Sequence, residues 1–534
     1  MSQPFGISCR GGLNTNLNQF EMLGNPGLAS VLQNFEVDPD GGYRRIQGYR
    51  LYGEDSSTRP NGNNRIFGIH PYALGMVVCA GTGIFYSEDG ISWTQINFDT
   101  GASGVLESVL PTLTELDRPD QAQAQFALIK GATGYATNPY GTLTIATGKD
   151  KIANFYISGV GATRTFHYEE LTTPTAGSYL EHHNKHLCVV DSENNPNTIY
   201  YSGTNSDRDF TSTGSGAVTL TDVIVGIKSF RDSLYIFCEN TIHRLDNINN
   251  PTTLEVVQIT NDVGCLSGHS IQEVGGDLVF LAPDGIRTIA GTERIDDVEL
   301  SSVSRQIQSI VANIARFKDN YIISSGVLRT RSQYRLFYST ASAETSESKG
   351  IIGTVTLNGF EWAETLGIQA HAFTSAYDGL GIEKTYHGDK NGYVYTHNIG
   401  NYFHPAGTQT AINAKYTTPF FDFGDVGTLK TLKYIRASLS PEGEVSPYLR
   451  LKYNYEDTLT PQPNDYLISN IQYPSIFGSA VFGVAVFGAT NDPMIRQTVE
   501  GSGNTVSITV YSNDTKAPYS INGLYIDYMP SGRR

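Results

Sequence analysis

The chain is poor in the residues from which long helices are built. Only 17% of its 534 residues are charged, whereas about a quarter is usual for a soluble domain. Glycine (55 residues), tyrosine (32) and phenylalanine (24) are abundant instead. The composition therefore excludes a mostly helical or coiled-coil protein, and aromatic residues at 11% argue against a disordered chain.

Other features that the sequence lacks bear on the compartment in which the protein folds. No apolar run reaches the roughly 18 residues that a membrane-spanning helix needs. The start, MSQPFGISCRGG, lacks the basic-then-apolar pattern of a secretory signal. The five cysteines are odd in number and widely spaced, so we expect reduced, mostly buried thiols in a protein that folds in a cytoplasm. They are Cys9, Cys79, Cys188, Cys238 and Cys265.

The charge balance is strongly acidic. The chain has 37 basic and 53 acidic side chains, which gives a formal net charge of −16. Affinity for duplex DNA comes mostly from Lys and Arg on the phosphates, so a protein that grips DNA is not expected. An acidic surface still suits a protein past which DNA slides.

Short strand-like runs broken by Gly, Asn and Asp recur along the chain and pair as hairpins. The turns of successive hairpins are separated by 66, 46, 46, 45, 59 and 47 residues. Repeats of about 40–50 residues with one strong hairpin each are typical of propeller blades. The pattern predicts an all-β fold with a β-propeller of about seven blades, and a chance spacing within a large β-sandwich array is the alternative. The turns lie near Thr82, Gly148, Asn194, Asn240, Gly285, Glu344 and Asn391.

The repeat is flanked by regions with other patterns. We predict a propeller over residues 51–405 with an insertion at about 99–125, and an N-terminal arm over residues 1–50 that packs along the propeller or reaches a neighbour. Over residues 406–534 the strands become longer and cleanly alternating, which predicts a separate antiparallel β-sandwich. One helix is expected where apolar residues share a face at helical spacing. These residues are Val303, Ile307, Ile310 and Ile314.

Motifs with a chemical role are scarce. The run from Ser87 to Trp93 resembles an Asp-box, S-x-D-G-x-x-W, which is a structural turn between propeller strands. The run from Glu181 to His186 is rich in histidine but leads straight into a strand. Residues i and i+4 of a strand lie about 13 Å apart, too far to bind one metal ion. We therefore predict a solvated strand end there, and no metal, cofactor or catalytic residues in the chain.

Two stretches are candidates for contacts with partners or with a channel. Residues 38–42, DPDGG, predict a tight turn, and the basic aromatic residues Tyr43, Arg44 and Arg45 that follow are a candidate contact with an acidic neighbour. Residues 475–490, SIFGSAVFGVAVFGAT, carry no charge. They are either a buried loop or an exposed apolar surface that meets a partner or closes a channel. The candidate residues in this stretch are Phe477, Phe482 and Phe487.

Nine stretches together resemble tail proteins of short-tailed bacteriophages. They cover most of the chain outside the insertion, but they are scaffold turns rather than site motifs. The stretches are GGLNTN (11–16), LQNFEVD (32–38), GGYRRIQGY (41–49), IYYSG (199–203), IKSF (227–230), LYIF (234–237), NDVGC (261–265), FLAPDGI (280–286) and the ending 528–534.

The resemblance implies a structural virion protein with no enzyme activity. Members of this family are propeller-containing nozzle, hub or head-completion proteins that form a ring, usually six-fold, below the portal and its adaptor. The implied role is to extend the DNA channel, retain packaged DNA and allow its ejection. The alternatives are a propeller that binds or cleaves a glycan as a receptor-binding tail protein, and a generic adhesion or scaffold propeller of cellular origin.

The same resemblance implies partners and a location. The partners are further copies of the chain in a hexameric ring, adaptor and portal-proximal tail proteins, tail fibres or spikes, and DNA that passes without specific binding. We expect no cofactor and no membrane span. The protein would be assembled in the host cytoplasm and reside in the virion tail.

Overall fold

The fold is built almost entirely of β-strands, as the composition predicts. The computed structural model describes residues 3–39, 41–53, 58–96, 123–130, 139–159, 165–171, 174, 176–290, 302–377, 381–469 and 494–533. The N-terminal strands are β1 (Gln3–Ser8), β2 (Val31–Gln33), β3 (Phe35–Val37), β4 (Tyr43–Arg45) and β5 (Tyr49–Leu51).

The strands of the repeat follow in short antiparallel groups. The first groups are β6 (Ile66–Tyr72), β7 (Gly75–Ala80), β8 (Gly83–Ser87) and β9 (Thr94–Gln95); β10 (Gln125–Ile129), β11 (Thr142–Ala146), β12 (Ala153–Ser158) and β13 (Thr165–Glu170); and β14 (Tyr179–His183), β15 (His186–Asp191), β16 (Asn195–Tyr201) and β17 (Gly216–Thr219). The next are β18 (Ile224–Phe230), β19 (Ser233–Cys238), β20 (Ile242–Asp246) and β21 (Glu255–Thr260); and β22 (Gln272–Val274), β23 (Asp277–Ala282) and β24 (Gly285–Thr288). The last are β25 (Ile322–Leu328), β26 (Gln333–Ser339), β27 (Lys349–Thr356) and β28 (Gly359–Leu366); and β29 (Ala372–Tyr377), β30 (Glu383–Gly388) and β31 (Val394–His397).

The C-terminal region continues with longer strands. They are β32 (Ile412–Thr417), β33 (Thr428–Pro441), β34 (Tyr448–Tyr453), β35 (Tyr466–Leu467), β36 (Met494–Thr498), β37 (Ser502–Gly503), β38 (Val506–Asp514) and β39 (Tyr519–Arg533). The α-helix that lies wholly within the described ranges is α1 (Gln308–Arg316), and the short 3-10 helices there are Glu21–Gly24, Gly268–Ser270, Arg305–Ile307, Lys318–Asn320, Arg329–Arg331, Thr345–Glu347, Pro405–Gly407 and Asn454–Glu456.

Consecutive strands of the repeat pair as the meanders of a β-propeller. Four blades have four strands each (β6–β9, β10–β13, β14–β17 and β18–β21), and a fifth has the three described strands β22–β24. All of the predicted hairpins are confirmed, because each predicted turn lies between two paired strands.

The last blade, β29–β31, is completed by a strand of the N-terminal segment, which we define as the described residues from Gln3 to Leu51. Strand β5 pairs with β31, so that Tyr49 lies opposite His397 and Leu51 lies opposite Tyr395. These backbone hydrogen bonds join residues that are far apart in sequence. The chain therefore closes the propeller with a strand that precedes the first blade.

The number of self-contained blades is six, whereas the hairpin spacing predicted about seven. The hairpin near Glu344 belongs to the meander β25–β28, which is part of a larger sheet. Strand β2 pairs in parallel with β28, through Gln33 and Glu364, and antiparallel with β32. One nine-stranded sheet results, which also contains β38, β34 and β35. The spacing of hairpins along the sequence indicates how many hairpins there are. It does not show whether the sheet that contains a hairpin ends at its fourth strand or continues with strands from elsewhere in the chain.

A second large sheet has seven strands, in the order β3-β4-β39-β33-β36 with β1 on β39 and β37 on β33. The C-terminal strands therefore share both large sheets with strands from elsewhere in the chain, rather than forming sheets of their own. The strands of the described part of residues 1–50 likewise lie in both large sheets and in the last blade.

The hydrophobic core has one large part and several smaller ones. The large part collects buried residues of the N-terminal segment, the meander β25–β28, α1 and both large sheets, and the smaller parts lie between adjacent blades. The predicted helix is confirmed in part, since Ile310 and Ile314 lie in α1 and Ile307 in the 3-10 helix before it, whereas Val303 precedes both and bonds to the Ile286 carbonyl. All five cysteines are buried free thiols, as predicted.

The N-terminal segment allows a test of its place in the core. Phe35 is fully buried and packs edge-on against Tyr519 at a ring distance of 5.8 Å, whereas Phe20 is 80% exposed. We expect Phe35→Ala to lower the free energy of unfolding by about 3–5 kcal/mol. The matched control Phe20→Ala should change it by at most about 0.5 kcal/mol. Urea denaturation measures both, and equal midpoints for the two variants would contradict the interleaved arrangement.

Candidate functional site

The three residues predicted to contact an acidic neighbour lie on β4, and two of them are inside the chain. Tyr43 and Arg45 point into the core and are 0% and 1% exposed, while Arg44 lies on the other face of the strand. The Tyr43 hydroxyl donates to the Gly27 carbonyl at 2.9 Å, and Arg45 donates to the Asp514 carboxylate at 2.9 Å. Tyr43 and Arg45 are therefore not available for a surface contact, whereas the contact with a neighbour stays a prediction for Arg44.

The carboxylate of Glu36, on β3, is the centre of a buried charge cluster. It accepts hydrogen bonds from the guanidinium groups of Arg44 at 2.7 Å and Arg335 at 2.9 Å. Arg331 contacts the same carboxylate, and the Gln333 amide donates to it at 3.1 Å. We call these five side chains the Glu36 cluster. Arg331 and Arg335 flank the start of β26, so the cluster ties the N-terminal segment to the meander.

Electrostatics in the Glu36 cluster follow from burial and from the surplus of arginine. Burial by itself would raise the pKa of Glu36, but Arg335, Arg331 and Arg44 outweigh it and hold the pKa below its ordinary value. Burial lowers the pKa of Arg335 to about 10, so its guanidinium stays charged at neutral pH. It donates to Nε2 of His397 on β31 at 2.8 Å. Burial and the positive charge of Arg335 hold the pKa of His397 well below 6.5, which keeps this imidazole a neutral acceptor.

The Glu36 cluster has a testable dependence on pH. We expect Glu36→Gln to lower the free energy of unfolding by about 3–5 kcal/mol at pH 7, because it leaves buried arginines without their counter-charge. The pKa of Glu36 is lowered by folding. Its contribution is therefore fully present above the ordinary value of 4.5 and is lost as the pH falls through the lower folded-state value.

Urea denaturation of wild type and variant between pH 7 and pH 3 measures this effect. The difference between the two proteins should shrink in the acidic range. Glu442→Gln is the matched control, since Glu442 pairs with the outer side of Arg44 and its side chain is 41% exposed; it should cost about 1 kcal/mol or less. A difference between wild type and Glu36→Gln that does not depend on pH would contradict the assignment.

Two predicted turns can be compared with the structure, whereas the apolar candidates cannot. The tight turn at 38–42 is confirmed, because the Gly41 N–H donates to the Asp38 carbonyl at 2.9 Å. The Asp-box is confirmed as a structural turn, since Asp89 accepts from the backbone N–H groups of Ile91 and Ser92, each at 2.8 Å. Residues Phe477, Phe482 and Phe487 lie outside the described residues.

The histidine-rich run at 181–186 is a hairpin, but two of its three histidines, His183 and His186, are buried and not solvated. Asn184 and Lys185 have positive φ angles of 45° and 69°, which suits the tight turn between β14 and β15. His183 bonds to the Ser229 hydroxyl at 2.8 Å, and His186 bonds to the Asn249 side chain at 3.0 Å. Both rings are buried, whereas the turn residues Asn184 and Lys185 are exposed. Among the described residues, no group of three or more His, Cys, Asp or Glu could hold a metal ion.

A polar cavity of about 240 Å³ lies where the first strands of the blades and of the meander meet. Its lining comes from β6, β10, β14, β18, β22, β25 and β29, together with the 3-10 helix before β22 and two residues before β10. We call it the axial cavity. Sequence reasoning missed it because each strand supplies only a few residues. The available signal was the occurrence of Gln, His, Glu and Lys in strands that are otherwise apolar.

The axial cavity contains a hydrogen-bonded set of polar side chains. Lys228 donates to both oxygens of the Glu181 carboxylate, at 3.1 and 3.2 Å. The Gln125 amide lies 3.3 Å from Nδ1 of His269, and Gln272 donates to the Ser325 carbonyl at 3.2 Å. Burial lowers the pKa of His269 to about 4, so this ring is neutral at pH 7.

The carboxylate content of the axial cavity limits its chemistry. Glu181 is the one carboxylate among the described lining residues, and Lys228 already neutralises it. Hydrolysis of a glycosidic bond ordinarily needs two carboxyl groups, one of which acts as an acid. The described lining of the axial cavity thus contains one of the two carboxyl groups that such hydrolysis needs.

Comparisons with known proteins show only remote likeness. No family model and no curated protein matches the chain. Similar solved structures include the extracellular domain of a one-component system from B. thetaiotaomicron (10% identity, 92% of this chain and 62% of that chain, TM-score 0.37). Two others are the Pan2 WD40 domain from Neurospora crassa (9%, 67% and 96%, TM-score 0.32) and an exo-β-1,3-galactanase from Phanerochaete chrysosporium (8%, 90% and 100%, TM-score 0.25). Likeness this low carries no conclusion about function.

No helix in the described part of the chain is both long enough and apolar enough to cross a membrane.

Proposed function

We propose that the protein is a structural subunit of a bacteriophage tail nozzle or hub ring, which extends the DNA channel below the portal and its adaptor. The sequence resemblance suggests this role, and one structural observation carries the proposal further. The N-terminal segment supplies strands to the last blade and to both large sheets. A subunit that retains packaged DNA under pressure needs its parts fastened to one another, and shared strands fasten them along their hydrogen bonds.

DNA would pass between subunits and not through the propeller of one subunit. A cube with the axial cavity's volume of about 240 Å³ has an edge of about 6 Å, while the major groove of B-DNA alone is about 12 Å wide. The channel would therefore lie on the axis of the ring, where the net charge of −16 disfavours lasting contact with phosphates.

The C-terminal strands would form a β-sandwich that serves as a second body of the subunit. This is supported by the buried residues of β32, β34 and β38 from one large sheet and of β33 and β39 from the other, which belong to the same core. The sandwich and the propeller would offer separate surfaces for adaptor proteins and for tail fibres or spikes. The subunit would have no enzyme activity, in keeping with the single, neutralised carboxylate of the axial cavity.

Assembly of the purified protein tests the proposal. We expect a particle of about six times the 58.3 kDa chain mass, closed by six-fold rotational symmetry, with a central hole in negative-stain images. Mass photometry over a series of protein and salt concentrations gives the copy number. A strictly monomeric protein under all of these conditions, or release of reducing ends from glycans by the purified protein, would contradict the proposed role.

A further inference from the structure

The size of the axial cavity restricts what it can hold. A volume of about 240 Å³ equals about eight water molecules at about 30 Å³ each. It lies below the range of about 300–1,000 Å³ that is usual for drug-sized ligands. The cavity therefore suits one small ring compound and excludes a polymer that would thread through it.

The hydrogen-bonding groups of the axial cavity are only partly used by the protein. The Ser325 carbonyl can only accept, so its bond with Gln272 fixes the orientation of that amide and leaves Oε1 as an acceptor. The Gln125 amide donates to Nδ1 of His269, so the other ring nitrogen of His269 carries the proton. Within the described chain no hydrogen bond is made by the imidazole of His70, which stacks on Phe126 at 5.3 Å. The cavity thus offers both donors and acceptors.

The charge of the axial cavity is balanced. Lys228 and Glu181 cancel each other, and burial lowers the pKa of His70 to about 4, as it does for His269. With no net charge, the cavity has no preference for a phosphate or a metal ion. Hydroxyl groups both donate and accept, so they match the mixed set of free positions better than a charged ligand does.

Apolar surface in the axial cavity completes the match. The rings of Phe126 and Phe373 are half-buried and line the cavity beside the amides. Aromatic rings supply a large apolar contact area, which suits the C–H face of a sugar ring while the hydroxyl groups bond at its edge.

We propose that the axial cavity binds a neutral polyhydroxylated ring compound, of the size of a single monosaccharide. The proposal goes beyond the structural role given above. It concerns one propeller and can be tested on the protein in any assembly state, so its failure leaves the ring proposal untouched.

Titration with defined sugars tests the proposal. The probes are D-glucose, D-galactose and N-acetyl-D-glucosamine, with D-glucose 6-phosphate as the charged comparison, and isothermal calorimetry and ligand-observed NMR are the measurements. We expect saturable millimolar binding of at least one neutral sugar and no saturable binding of the phosphate ester. Absence of saturable binding by all three neutral sugars, or tighter binding of the phosphate ester, would overturn the proposal.

Substitutions in the cavity lining test whether the sugar binds in the axial cavity. Gln125→Leu removes an amide of the lining and should weaken binding by about tenfold. Gln258→Leu is the matched control, because Gln258 lies exposed on the outer strand β21, and it should bind like wild type. Unchanged affinity in Gln125→Leu would place the sugar outside the axial cavity and contradict the proposal. If circular dichroism shows that this variant is unfolded, Thr374→Val, another change in the cavity lining, is held to the same criterion.

Discussion

The neutralisation of one buried carboxylate, Glu36, is the interaction on which the architecture depends. Removing a carboxylate from water is costly unless opposite charges and hydrogen bonds replace the lost hydration. Here Arg44, Arg331 and Arg335 supply both. They can do so only when β3 and β4 of one large sheet come close to the start of β26 in the other, so the folded arrangement and the satisfaction of this charge require each other.

Parts of the chain that lie far apart in sequence are interleaved in the same sheets. Strand β2 joins the meander β25–β28 to the C-terminal strands, and β5 completes the last blade. The same N-terminal segment is therefore hydrogen-bonded both to the propeller and to the C-terminal strands. This property favours a part that bears force over one that moves, and it is why we infer a structural role.

The axial cavity is a separate feature of the same fold. The first strands of the blades and of the meander come together around it, and their polar side chains leave both donors and acceptors unused. The propeller fold does not identify a function, because one fold hosts many functions. What this cavity binds must therefore be argued from its own residues. Its balanced charge and small volume point to a small neutral ligand, whatever larger assembly the propeller joins.

Most of the hairpins could be predicted from the sequence because their turns depend on residues that are close together in the chain. The Asp-box from Ser87 to Trp93 forms its bonds within a few residues, so sequence reasoning found it. Composition and hairpin spacing likewise predicted an all-β propeller and buried, free cysteines.

Tertiary structure alone decided which sheet each strand joins and which polar side chains are buried. The sequence around Arg45 and His186 reads as solvated, yet both are buried because Asp514 and Asn249 reach them from elsewhere in the chain. The same holds for the six blades and the shared sheets, since the edge beside β28 is filled by β2, some 330 residues earlier in the chain. Local sequence determines a hairpin, but the partners of its edges and the solvent it sees depend on contacts between residues far apart in sequence.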